Sequence, residues 1–250
     1  VAWSRLQSAS ATSSEGGLSG TVAATFGTNL TAGSKIIAAV AVNAATGGVD
    51  EVISVKDGAG NSLTELASNS GGAGGGWTEL WAMDTPAGDA GTKPTITATW
   101  NTGLAASYGF VMLLQEVTGL AAGNTTAILD GAVIGAASGN SASAASGAYS
   151  SGAASEYLTA AYFDPGTGVT IATPPSGYTA DPHNVSGQSS ADLSVYYKNS
   201  SAGAESATFG LSGSGQWEVL LTAFKLASGP AFIPAPARAA GQAVNRAACW

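Results

Sequence analysis

Polar and apolar positions along the chain follow a period of two far more often than the helical period. Thr95-Ile-Thr-Ala-Thr-Trp100 alternates threonine with Ile96, Ala98 and Trp100, the pattern of a strand wet on one face and packed on the other. Gly109 to Leu114 and Trp217 to Leu221 are more continuously apolar, which predicts central strands anchoring the core. Clusters at Asp57–Asn61, Thr85–Asp89, Asp164–Gly168 and Thr173–Gly177 combine glycine, proline and Asp or Asn, so each reverses the chain. Strands separated by turns every ten or so residues predict a sandwich or barrel of about fourteen to sixteen strands.

The apolar segments recur in order. Lys35–Val42 is answered by Glu156–Phe163, Ser62–Leu66 by Gly177–Asp181, Glu79–Met83 by Ser194–Lys198, and Val111–Val117 by Val219–Lys225. The spacings are 121, 115, 115 and 108 residues. So small a drift in unbroken order implies two copies of one β-unit trimmed in their loops. The expected fold is an all-β sandwich of the jelly-roll or immunoglobulin-like kind, built from two pseudo-repeats. Residues 1–134 form the first repeat, 135–155 a small-residue connector, 156–226 the second repeat, and 227–250 an extended C-terminal arm. The glycine-rich run Asn69–Gly76 is expected to be a mobile loop. In the arm, prolines stiffen Ala227–Arg238 and a short helix is expected over Ala239–Trp250. So short a segment cannot bury its own apolar groups, so the arm either folds back on the sandwich or docks on a neighbouring subunit, and Phe232, Ile233, Arg238, Val244, Arg246 and Trp250 are the candidates for partner binding.

Composition narrows the function. Only 10% of residues are charged, against about 25% in ordinary domains, so the surface is polar through hydroxyls, amides and backbone. Eight Lys and Arg against sixteen Asp and Glu leave a formal charge of −8. Without a basic cluster to release counterions, nucleic acid is not an expected partner. No apolar run reaches the length of a membrane helix, and the start lacks the basic and apolar regions of a secretory signal. Cys249 is the single cysteine, which excludes an intramolecular disulfide.

Catalytic chemistry is thinly represented. His183 is the only histidine and lies in a turn-like Asp-Pro-His-Asn segment that carries no nucleophile beside it. With one His and one Cys, a zinc site of several such ligands is excluded. A glycosidase needs two carboxylates; Asp50, Glu51, Glu65, Glu79, Glu116, Asp130 and Glu156 are available, with Glu116 expected to be the most buried. Asp57, Asn61, Asp84 and Asp89 sit in turns where calcium could bind, though Asx-turns account for them equally. No cofactor and no catalytic residue is expected. Among Trp77, Trp81, Trp100, Trp217, Tyr178, Tyr196 and Tyr197, most are expected in the core; Trp77 and Trp81 are the candidates for stacking on a glycan.

Four phrases carry a resemblance: Ala2-Trp-Ser-Arg-Leu-Gln-Ser-Ala-Ser10, Val55-Lys-Asp-Gly-Ala-Gly-Asn-Ser-Leu-Thr64, the strand Glu79–Met83, and the closing segment Pro236–Ala248. Together they resemble β-sandwich virion proteins of phages that infect actinobacteria, of the minor tail protein type. That resemblance implies a non-enzymatic structural or adsorption role on the surface of a phage particle. It implies other virion subunits as partners, in a homo-oligomer or hetero-assembly, with a host-surface glycan as a further ligand and no membrane insertion. Capsid decoration and carbohydrate binding are the alternative roles, and export by lysis would need no signal peptide.

Overall fold

The computed structural model describes residues 2–13, 20–43, 52–70, 76–100, 109–130, 135–185 and 191–228. Among these the chain is all-β, with sixteen strands, no α-helix and one 3-10 turn at Thr126–Ile128. The first repeat contributes β1 (Ser4–Ser13), β2 (Thr21–Thr25), β3 (Lys35–Asn43), β4 (Val52–Asp57), β5 (Thr64–Ser70), β6 (Gly76–Asp84), β7 (Thr95–Trp100) and β8 (Phe110–Thr118). The second contributes β9 (Gly135–Ala145), β10 (Tyr149–Ser151), β11 (Tyr157–Asp164), β12 (Ile171–Thr173), β13 (Thr179–Ala180), β14 (Asp192–Asn199), β15 (Gly203–Glu205) and β16 (Thr208–Phe224).

The duplication is visible in the sheets. In the first repeat the order is β1-β8-β3-β6-β5; in the second, β16-β11-β14-β13 repeats β8-β3-β6-β5, with β9 pairing on the far side of β16 as β1 does on β8. A separate three-stranded sheet, β2-β7-β4, covers the first repeat. In the second repeat its counterpart comes from the same long strands: Thr208–Gly210 of β16 pair with the end of β9, and Gly210 and Leu211 pair with β12. β16 thus does alone what β7 and β8 do separately.

Pairing corrects the alignment of the two copies. Lys35 lies opposite Asp84 and Val117, whereas Tyr157 lies opposite Asn199 and Phe224. Equivalent strands are therefore 122, 115 and 107 residues apart, not 121, 115 and 108. One residue matters, because a slip of one turns every side chain to the opposite face. With the structural spacing, Ile37 and Ala39 correspond to Thr159 and Ala161, which face the same core.

Three cores result. Ile36, Ala38, Val40 and Val42 pack with Val22, Val55, Ile96 and Trp100 beneath the three-stranded sheet, where Trp100 stacks on Phe110 at 3.9 Å between ring centroids. Leu158, Ala160 and Tyr162 pack with Phe209, Trp217 and Val219 in the second repeat. Between the repeats, Ile37, Ala39, Leu80 and Leu113 meet Phe163, Leu193, Leu220 and Phe224. β3 and β11 are buried on both faces, which is why their sequences run apolar rather than alternating.

Residues 135–155 are not a connector loop. β9 runs for eleven residues along β16, and β10 pairs with β15. Small residues are required there: a Cβ on Gly139 would overlap the Trp217 ring, and one on Gly135 would meet the Gly147 carbonyl. The expected loop at Asn69–Gly76 shrinks as well, since Asn69 and Ser70 end β5 and Gly76 opens β6; residues 71–75 lie outside the described residues. So do residues 229–250, and with them Phe232, Ile233, Arg238, Val244, Arg246, Cys249 and Trp250.

Candidate functional site

Polar side chains concentrate where the two repeats meet. At one end of the seam, β1 and β8 present Ser8 and Gln115, which lie opposite each other in the sheet. The turn after β13 presents Asp181 and His183 from the second repeat. Ser8 Oγ lies 2.7 Å from Asp181 Oδ1 and 2.8 Å from His183 Nδ1, and it accepts a hydrogen bond from Arg5 Nη1 at 2.9 Å. The backbone N–H of His183 donates to Asp181 Oδ1 at 3.0 Å, and Gln115 Nε2 donates to Asp181 Oδ2 at 2.9 Å. Tyr157, fully buried, donates its hydroxyl to Gln115 Oε1 at 2.7 Å. Burial, with the Asp181 charge adding, holds that phenol well above its usual value.

Serine, histidine and aspartate in contact invite comparison with an acyl-transfer triad, and the geometry decides against it. A triad places the serine and the acid on opposite ring nitrogens of the histidine, so that the base takes the serine proton. Here Ser8 has one proton, and the carboxylate, which can only accept, takes it. The two remaining lone pairs of Oγ then receive the Arg5 guanidinium and the His183 Nδ1–H, which saturates the hydroxyl. Ser8 is buried at 5% exposure. The cluster joins repeats. Trp3 extends it by packing edge-on against Tyr157 at 4.7 Å, and Arg5 lies 5.2 Å above the Tyr197 ring.

The other end of the seam holds Glu218. Its carboxyl accepts the Thr78 hydroxyl at 3.0 Å and is buried at 2% exposure. Burial pushes it up to about 8, against which the Thr78 hydrogen bond pulls only weakly. The repeats approach so closely here that a Cβ on Gly76 would overlap both Glu218 and the Phe163 ring. Asn69 Nδ2 donates to the Ala137 carbonyl at 2.8 Å nearby. Sequence reading passed over Glu218, although a lone acid inside Trp217–Leu221 is itself a signal, because a charged residue in an apolar strand must be explained.

The remaining carboxylates are dispersed. Glu116 is buried as expected, but it accepts bonds from Gln7 Nε2, the Thr31 N–H and the Ser34 hydroxyl and is spent on holding that corner. Glu79 is buried and accepts the Trp81 indole N–H at 2.7 Å. Glu65 is half-buried on β5, and Asp50 and Glu51 lie outside the described residues. Asp130 and Glu156 face each other near β10: burial and then Asp130 raise Glu156 to about 7, while bonds from Glu156, Gly152 and Ser151 outweigh burial and lower Asp130. Asp84 binds Lys35 Nζ and the Gly123 N–H. Among the described residues no group of three or more His, Cys, Asp or Glu side chains is placed to hold a metal ion.

The aromatic candidates are placed in cores. Trp81 is 8% exposed and Trp77 is half-buried against the same core, so Trp81 offers no open face for a sugar. Every described Trp, Tyr and Phe is buried or half-buried. A cavity of about 150 Å³ between Tyr162, Val169, Asp192 and Tyr196 is smaller than the roughly 300–1,000 Å³ of ordinary ligand pockets. No helix among the described residues is long and apolar enough to cross a membrane.

Comparisons with protein-family models, curated proteins and solved structures return no match to this chain.

Proposed function

We propose that the chain is a non-enzymatic structural component of a bacteriophage virion, tail-associated in the manner of a minor tail protein. The observation that supports the non-enzymatic part is the saturated Ser8 hydroxyl: where serine, histidine and aspartate meet among the described residues, the serine is committed to joining two sheets. The virion part rests on the resemblance of Ala2–Ser10, Val55–Thr64 and Pro236–Ala248 to such proteins. A duplicated sandwich with few charges suits a part that works by shape and contact. The segment after Ser228, with Phe232, Ile233 and Trp250, is assigned to attachment on other virion subunits.

Antibody raised against the purified chain and applied to particles of the encoding phage tests the proposal. Label on the tail supports it. Label on the head moves the role to capsid decoration, and particles that carry none of the chain overturn the virion assignment.

A further inference from the structure

The two repeats differ at one patch of equivalent residues. Val42 and Trp77, which pair across β3 and β6, correspond to Asp164 and Asp192, which pair across β11 and β14; Val40 and Glu79 correspond in the same way to Tyr162 and Ser194, and Trp81 to Tyr196. All lie on the sheet face turned away from the seam. In the first repeat this ground is filled: Val42 and Trp81 are buried, Trp77 packs on the same core, and the Trp81 indole donates to Glu79 at 2.7 Å. In the second repeat it is hollow. A cavity of about 150 Å³ lies there, floored by Tyr162, Asp192, Ser194 and Tyr196. The cover above it is shorter, since β12 has three residues where β4 has six, and the exposed Thr170 stands at the cavity mouth.

The walls of this hollow are held in place. Asp164 accepts the Thr167 N–H at 2.8 Å, the Thr167 hydroxyl at 2.7 Å and the Val169 N–H at 3.2 Å, which fixes the segment carrying Val169 and Ile171 along one side. Asn184, on another side, accepts the Val195 N–H through Oδ1 at 2.8 Å, so its amide nitrogen remains a donor for something else. The floor is polar where a core is ordinarily apolar and close-packed. Asp192 and Ser194 are 3% and 4% exposed, and the buried Tyr162 hydroxyl meets no hydrogen-bond partner. Burial, then the charges of Asp164 and Asp192, hold that phenol above its usual value, so it keeps its proton. Buried polar groups ordinarily have partners, and apolar or filled positions that turn polar and hollow in one copy alone have gained a ligand to satisfy.

We propose that this cavity binds a single sugar ring. Its size sets the limit, because a space of about 150 Å³ holds one six-membered ring and no more. Its chemistry sets the class. Asp192 accepts hydrogen bonds, the Asn184 amide nitrogen donates, and the Ser194 and Thr170 hydroxyls do both, which matches the neighbouring hydroxyl groups of a sugar. Val169, Ile171 and Tyr196 give the C–H face of the ring an apolar wall. A small anion would meet the Asp192 charge, and a wholly apolar ring would leave the polar floor unpaired. The site does not depend on where the protein resides, so the virion assignment and the sugar site stand or fall separately.

The test uses the full chain with glucose, galactose, mannose, rhamnose, xylose and arabinose at millimolar concentration, followed by saturation-transfer NMR and thermal unfolding. At least one sugar should bind and raise the unfolding midpoint. Ser194→Ala should weaken that binding by about tenfold, and Ser194→Leu, which fills the floor, should abolish it. Tyr178→Phe removes a hydroxyl that bonds the Ser206 carbonyl outside the cavity and should leave binding unchanged. If Ser194→Leu does not fold, Ser194→Ala and the backbone amide shifts of Val169, Thr170 and Asp192 in the unaltered chain decide; sugar-induced shifts confined to other residues overturn the site. Methyl glycosides that bind as well as the free sugar assign the cavity to the end of a glycan chain, and binding by free sugar alone assigns it to a soluble sugar. No sugar bound by the unaltered chain overturns the proposal, as does equal binding by Ser194→Leu. A higher midpoint for Ser194→Leu with every sugar inert assigns the cavity to water alone and also overturns it.

Discussion

Replacing Glu218 by glutamine should make the protein more stable at alkaline pH and leave it nearly unchanged in mild acid. Glutamine keeps the shape and an oxygen to accept the Thr78 hydroxyl, but it cannot ionise. In the wild-type chain the folded state holds the Glu218 proton up to about pH 8, from an ordinary value of 4.5. A group whose pKa is raised by folding binds its proton more tightly in the folded state. Its full contribution is therefore present below about pH 4.5, drains away as pH rises towards 8, and is gone above that. The interval corresponds to at most about 5 kcal/mol at roughly 1.4 kcal/mol per decade, and the response of the protein around the charge, equivalent to an effective dielectric constant of about 20, reduces it to about 2–3 kcal/mol. Glu156 and Asp89, also raised, act in the same direction, and Asp57 and Asp130 in the opposite one. These are common to both proteins and cancel in the comparison. Urea unfolding followed by tryptophan fluorescence at about pH 5, 6.5 and 8.5 measures the difference. The two stability curves should diverge by about 2–3 kcal/mol at the alkaline end; curves that stay parallel would refute the buried-acid account of the seam.

Other outcomes follow from the same geometry. Ser8→Ala should cost about 1–3 kcal/mol by leaving Asp181 and Arg5 short of a partner, read as a lower thermal midpoint; an unchanged midpoint counts against the saturated network. Gly119 adopts φ of +81° with the Ala2 carbonyl and the Trp3 Cα against the place a Cβ would occupy. Gly119→Ala should therefore destabilise by about 1–3 kcal/mol and expose the amides of β1 to hydrogen exchange, and native-like exchange in β1 would contradict this. Ending the chain after Ser228 preserves the Leu120–Leu226 bridge and the bond from Ala227 N–H to the Gly119 carbonyl. The truncated protein should keep its unfolding midpoint yet fail to enter particles, and normal incorporation would remove the attachment role from the segment.

Several features were legible because local pattern and final structure agree. Thr95–Trp100 alternates in the structure as in the sequence, with Ile96, Ala98 and Trp100 inward. The apolar run at Val111–Leu114 is central and buried on both faces. β9 was missed because its Gly, Ala and Ser residues carry no apolar alternation; they are small to fit beneath Trp217 and beside Gly147, and that fit is set by a strand far along the chain. The copies were matched one residue off in two strands for a related reason. When both faces of a strand are apolar, as in β3 and β11, sequence offers no mark of which face is which.

The candidate sites divide along the same line. Single residues such as Glu116 could be judged buried from their neighbours alone. The meeting of Ser8 with Asp181 and His183 could not, since 173 residues separate Ser8 from Asp181. What the chain alone determined is its all-β class, its duplication and its poverty in ionisable groups, because strand period, turn chemistry and composition act over a few residues. What only the tertiary structure decided is that the copies stack face to face on a third core, and that polar side chains at its ends hydrogen-bond across the two repeats. That follows from non-local packing, in which the register between distant strands chooses which side chains meet.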